Sequence, residues 1–247
     1  MGEGQPLILL HGLFGMGVNL SMVAKPMSEH FQVTSLDLRN HGTSFWASSM
    51  SFTEMAEDVL RFMDHAGITQ AHILGHSLGG KVAMQLALNH PQRVNKLIVA
   101  DIAPVAYRGN HDKVFEGIGA IDVTAMTPRR DAQTILEQYI DEEGERLFLL
   151  KSLYRTEQGH FAWRLNVEAL ERCYPQLREG VTAEQAFAGP TLFIKGENSP
   201  YIIPEYQEVI NGLFSDVSFK MIQNTGHWLH AEKTAAFNRI VGNFLLA

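Results

Sequence analysis

The run Gly75-His76-Ser77-Leu78-Gly79 holds a serine between two glycines, each two positions away. Serine attacks a carbonyl well only when a base takes its proton, and the base needs a third group to orient it. The Gly-x-Ser-x-Gly pattern alone arises often by chance, so its surroundings carry the weight. Apolar Ala71-His72-Ile73-Leu74 precedes it and the helical pattern of Lys81-Val82-Ala83 follows. A strand–turn–helix of this kind lifts the Ser77 hydroxyl to the C-terminal edge of a sheet. Glycine is needed at 75 and 79 because a Cβ there would meet the neighbouring strand or helix. The turn also aims the Leu78 backbone N–H, at a helix N-terminus, at any oxyanion forming beside the serine. The chemistry expected is acyl transfer through a covalent intermediate on Ser77.

With 11 histidines in the chain, histidine alone discriminates little. His227 stands out because Thr225-Gly226-His227-Trp228 lies between the last apolar strand pattern and the last helix. A loop there reaches the same sheet edge as Ser77. His76 leaves the turn in another direction, and His11 and His41 lie in loops after earlier strands, so these three are expected in structural or pocket roles.

Positioning such residues takes a parallel sheet covered on both faces, and apolar runs do alternate with helical patterns through most of the chain. Strands are expected near 6–10, 31–36, 71–75, 95–101, 190–195 and 217–222. Helices are expected near 19–29, 53–66, 78–89, 203–213 and 232–246, with Thr53 and Ser77 at N-cap positions and Gly67 closing the second. The alternation breaks between 102 and 189. Helical patterns there fall near 111–121, 130–141, 144–154 and 166–173, with a hairpin around 159–163. An insertion after a strand's C-terminal end lies over the crevice where open α/β sheets bind ligands. The expected organisation is therefore one α/β core domain, 1–103 with 190–247, and a helical cap over 104–189. The cluster Leu147-Phe148-Leu149-Leu150 either lines a pocket under the cap or packs the cap onto the core.

Net charge is −7 and there is no lysine/arginine run, which argues against nucleic acid as a partner. No apolar stretch approaches the roughly 18 residues of a membrane span, and the basic-then-apolar pattern of a signal peptide is missing. The single cysteine, Cys173, excludes an intramolecular disulfide and suits a reducing compartment. The cytoplasm is the expected location. The histidines show no ligand spacing with carboxylates or cysteine, so neither a metal nor a cofactor is expected. Oligomeric state is left open.

His11-Gly12-Leu13-Phe14-Gly15 after the first strand, Gly75-His76-Ser77-Leu78-Gly79, and Gly226-His227 together resemble the α/β-hydrolase superfamily across nearly the whole chain. Further segments narrow the resemblance to bacterial YbfF-type esterases and, less closely, their mitochondrial relatives. These are 37–44, Asp101-Ile102-Ala103-Pro104, 196–201 and 226–233. The resemblance implies a serine esterase acting on small to medium acyl esters, with acyl-CoA thioesters as further substrates.

Most superfamily members place the triad acid in a Gly-x-x-Asp turn after the penultimate strand. Here that turn is Gly196-Glu197-Asn198-Ser199, and Ser199 cannot be the acid. Two carboxylates remain, Glu197 and Asp101. Asp101 ends the apolar run 96–100, where a strand end would face His227, fix its tautomer and balance the imidazolium formed during attack. YbfF-type enzymes are similar in using this aspartate.

The oxyanion hole is expected to combine the N–H of Leu78 with that of Leu13, Phe14 being the near alternative. Phe14, His76 and Trp228 are expected to line the substrate pocket, and Arg39, Asn40 and His41 to fix a loop behind it. The cap carries 8 of the 12 arginines against 14 acidic residues, which fits either a phosphorylated carrier or a salt-bridged surface. Rival readings are a carbon–carbon hydrolase or lyase, a biotin-pathway methyl esterase, and a small-molecule receptor without turnover.

Overall fold

The structure is a computed structural model and describes residues 1–125 and 128–247. Six parallel strands form one sheet in the order β2-β1-β3-β4-β7-β8. They are β1 (Gln5–Leu10), β2 (Phe31–Leu36), β3 (Ala71–His76), β4 (Val94–Ala100), β7 (Thr191–Gly196) and β8 (Val217–Ile222). Inside the sheet alternate residues feed opposite faces: Ile8 and Leu10 enter one apolar cluster, Leu7 and Leu9 the other.

The first cluster packs α2 (Phe52–His65) and α3 (Leu78–Asn89); the second packs α1 (Ser21–Met27) and α10 (Thr234–Leu246). Helix α3 is buried from Leu78 to Leu88, on every side. Ser51 caps α2, not Thr53, which lies in the first turn. The Ser51 hydroxyl accepts from the Glu54 N–H at 3.2 Å, as an N-cap serine does, and donates to the Glu54 carboxylate at 2.9 Å.

Pairing register does the positioning. Leu10 faces Gly75, His76 faces Ala100, and Ala100 faces Ile194. The residues that follow these strand ends, His11, Ser77 and Asp101, therefore emerge side by side at one edge. The chain runs from β1 outward to β2 and then back across β1 to β3, which opens a crevice at that edge.

Between β4 and β7 come α4 (Asp112–Gly119), α5 (Arg129–Leu136), α6 (Glu143–Leu150), the antiparallel pair β5 (Leu153–Arg155) and β6 (Phe161–Trp163), and α7 (Val167–Leu177). Helices α5 and α6 stop earlier than their sequence patterns, at Leu136 and Leu150. Both roots of this insert are tied to α3. The Lys81 ammonium, buried in α3, donates to the carbonyls of Val105 (2.8 Å), Arg178 (3.3 Å) and Glu179. Helix α8 (Gln207–Leu213) follows β7; the expected final helix is α10, and a short helix α9 (Leu229–Glu232) that the sequence pattern did not give precedes it.

Candidate active site

Ser77 sits between β3 and α3 at φ 53°, ψ −118°, a left-handed conformation that non-glycine residues seldom adopt. A Cβ on Gly75 would land on the Gly79 carbonyl, and one on Gly79 would land on the Leu10 carbonyl. The two glycines thus let α3 leave the strand end at close quarters, and Ser77 is left at the apex. Its N–H donates to the Ala100 carbonyl at 3.0 Å, so the turn is pinned to the neighbouring strand.

Asp101 follows β4, is fully buried and also has a positive φ, 55°. Three donors converge on its carboxylate. Gly196 N–H reaches Oδ1 at 2.9 Å, while His227 Nδ1 (2.8 Å) and the Ser199 hydroxyl both reach Oδ2. Since a carboxylate accepts, Nδ1 carries the proton toward it and Nε2 is the free ring nitrogen. Glu197, the other carboxylate considered, is exposed and accepts from the Asn224 N–H at 2.7 Å. It faces the loop after β8 rather than His227.

His227 is packed from two sides, by the Tyr201 ring at 4.2 Å and the His76 ring at 4.7 Å. His76 Nε2–H donates to the His227 carbonyl at 2.9 Å, and burial holds the His76 pKa well below its ordinary value. A neutral His76 thus braces the backbone of its neighbour.

The loop after β1 is held by two more neutral histidines. His11 donates from Nδ1 to the Gly12 carbonyl (2.8 Å) and accepts the Leu38 N–H at Nε2 (3.0 Å). His41 donates from Nδ1 to the Arg39 carbonyl (2.9 Å) and accepts the Phe14 N–H at Nε2 (3.2 Å). An acceptor at Nε2 requires the unprotonated nitrogen, and burial pushes the His41 pKa down to about 3. The Phe14 N–H is therefore engaged. No hydrogen bond from the Leu13 or Leu78 N–H is found among the described residues. Arg39 and Asn40 are loop anchors: Arg39 pairs with Asp58 and Glu54, and the Asn40 amide oxygen accepts from Ala47 N–H at 2.8 Å.

Ser77 and His227 line one cavity together with Phe14, His76, Trp228 and Phe148. Of the apolar run 147–150, Phe148 and Leu149 line it, Leu147 is exposed and Leu150 is buried. Among the described residues, no group of three or more His, Cys, Asp or Glu is placed to hold a metal ion, and no helix is long and apolar enough to cross a membrane.

Sequence reasoning missed the Ser199 hydroxyl as a partner of Asp101; its position after Gly196 was the available signal. It also missed Tyr107, whose hydroxyl accepts the Ala103 N–H and donates to the Tyr201 carbonyl, tying the loop after Asp101 to the ring that packs His227.

Residues 5–234 match a family model described as alpha/beta hydrolase fold. The chain is 37% identical to Esterase YbfF of Escherichia coli, over 98% of this chain and 94% of that protein. It is 34% identical to the mouse (Mus musculus) protein named sn-1-specific diacylglycerol lipase ABHD11, covering 97% and 80% of the two chains. A solved structure of a marine microorganism esterase superposes with a TM-score of 0.96 at 39% identity, covering 98% of this chain and 96% of that one.

Proposed function

The chain belongs to the α/β-hydrolase family, and on that premise we propose that it is a serine carboxylic-ester hydrolase working through an acyl-enzyme on Ser77. His227 Nε2 takes the Ser77 proton as Oγ attacks the carbonyl carbon, and Asp101 holds the ring and balances the imidazolium. The Leu13 and Leu78 N–H groups receive the oxyanion. His227 then returns the proton to the leaving alcohol, and water repeats the cycle on the acyl-enzyme. Small to medium acyl esters are the expected substrates, and acyl thioesters undergo the same steps. No cofactor enters this chemistry. Residues 104–189 act as a cap over the crevice, and the cytoplasm is the proposed location.

The observation that carries the reading is the contact of His227 Nδ1 with Asp101 at 2.8 Å, in a cavity that His227 shares with the strained Ser77 turn. The testing experiment is stopped-flow hydrolysis of short and medium acyl nitrophenyl esters. A product burst equal to the enzyme concentration is expected, and Ser77→Ala removes both burst and turnover. Turnover that survives the substitution excludes the covalent route.

A further inference from the structure

Ser77 and His227 share their cavity with a single carboxylate, Glu145, and with neither lysine nor arginine. Glu145 stands in the first turn of α6, where a carboxylate suits the helix dipole, but of the acids in that turn only Glu145 lines the cavity. Among the described residues it forms no ion pair. The adjacent Arg146 turns its guanidinium to the carbonyls of Ile140 (2.8 Å) and Asp141 (2.7 Å) instead. Glu145 is half-buried, and burial, with Glu142 beside it, holds its carboxyl above the ordinary pKa. A partly desolvated carboxylate without a partner gains from any positive charge brought to it.

The rest of the wall suits a diffuse cation. Phe148 and Trp228, whose ring centres lie 6.0 Å apart, and Phe14 supply aromatic surface. The histidines of the wall other than His227 are kept neutral by burial, His111 and His230 with pKa values lowered to about 4. A volume of about 50 Å³ gives room for several waters, each needing roughly 10–15 Å³, and so for a trimethylammonium head.

The proton path decides which half of a substrate enters. His227 protonates the leaving group, which therefore departs on the side of this cavity. The second cavity that Ser77 lines carries Arg108 and Arg178 without a carboxylate, and turns a cation away.

We propose that the leaving group carries a fixed positive charge, making esters of quaternary amino alcohols preferred substrates, with Glu145 opposing the charge and Phe148 and Trp228 packing its methyl groups. The proposal rests on the acyl-enzyme reading above and keeps its chemistry. Ser77 Oγ bonds to the ester carbon and the carbon–oxygen bond to the amino alcohol breaks. The alcohol leaves with the serine's proton, handed over by His227, and water releases the acid.

The test uses two isosteric pairs followed by pH-stat. Acetylcholine and 3,3-dimethylbutyl acetate place a cation or its neutral copy on the alcohol side; ethyl 4-(trimethylammonio)butanoate and ethyl 5,5-dimethylhexanoate place them on the acyl side. Acetylcholine should exceed its neutral copy in kcat/KM by at least about fivefold beyond their ratio in hydroxide-catalysed hydrolysis, the scale of a cation held against aromatic rings. The acyl-side cation should gain nothing. Glu145→Gln should remove most of the alcohol-side preference while leaving turnover of 3,3-dimethylbutyl acetate nearly unchanged, Glu145→Asp should keep part of it, and Glu143→Gln should keep it all. Competitive inhibition of the wild-type enzyme by choline, stronger than that by 3,3-dimethylbutanol, supplies the same answer if Glu145→Gln does not fold. Absence of the alcohol-side preference, a preference for the acyl-side cation, or an equal loss on both acetates in Glu145→Gln, which would mean that Glu145 acts on His227, overturns the proposal. Turnover of the neutral acetate without any preference for acetylcholine refutes this inference alone. Loss of turnover on all four esters, with no covalent labelling of Ser77, refutes the esterase reading as well.

Discussion

Asp101 and Ser199 meet across the ends of β4 and β7, and the Ser199 hydroxyl donates to the oxygen of Asp101 that also accepts from His227 Nδ1. The β4–β7 register, with Ala100 facing Ile194, brings the two strand ends together. Ser199, at the end of the Gly196-Glu197-Asn198-Ser199 turn, thus steadies a carboxylate that reaches the imidazole from the neighbouring strand.

Asp101→Asn should therefore lower kcat by at least about a hundredfold, or ~2.7 kcal/mol, with little change in KM. An amide there can donate toward Nδ1, which favours the wrong tautomer, and cannot balance the imidazolium. Glu197→Gln, altering an exposed residue turned toward Asn224, should stay near wild type. A folded Asp101→Asn of normal kcat beside a crippled Glu197→Gln would move the acid to Glu197.

Ser199→Ala removes one of three hydrogen bonds to the Asp101 carboxylate and leaves the other two. An effect on kcat of about fivefold is expected, the worth of roughly one net hydrogen bond. A loss as large as that of Asp101→Asn would show that Ser199 itself is indispensable.

Lys81→Met takes the ammonium away from three buried carbonyls at the roots of the insert. Burial already pushes the Lys81 pKa down to about 8, yet the group remains charged at neutral pH. Unsatisfied carbonyls should cost about 3 kcal/mol together, and at ~2–4 °C per kcal/mol for a chain of this size Tm should fall by roughly 6–12 °C. A variant that melts with wild type would deny Lys81 its tethering role.

Acid sensitivity follows from the buried histidines. Burial lowers His41 to about 3, His111 and His230 to about 4, and His76 well below its ordinary value. Unfolded, each titrates near 6.5. The unfolded chain then binds more protons, so stability is full above about pH 6.5 and is lost as pH falls toward about 4. Thermal midpoints recorded from about pH 7 to about pH 4.5 should decline throughout that window. A flat profile down to about pH 5 would mean that these rings are not buried neutral.

The Ser77 turn was legible because its glycines answer a local steric demand that is written in adjacent residues. The inner strands were legible because both faces are buried, which leaves continuous apolar runs, whereas the edge strands β2 and β8 are partly exposed. Ser51 could have been read as the cap of α2 from Glu54 three residues on; the nearer Thr53 masked it. The sequence patterns of α5 and α6 ran past the true helix ends because apolar periodicity continues into loops that pack, whereas α7 runs on to Leu177, beyond its pattern. Lys81 and Ser199 were not legible for a different reason. Their partners lie 24 to 98 residues away, and a lysine on a helix or a serine in a loop looks the same whether it is solvated or buried.

The covalent role of Ser77 is tested most directly by peptide mapping after treatment with a fluorophosphonate. One adduct, on Ser77, is expected, formed at a rate that Asp101→Asn slows and absent from Ser77→Ala. An adduct on another serine, or full esterase turnover by an enzyme whose Ser77 stays unlabelled, would contradict the account.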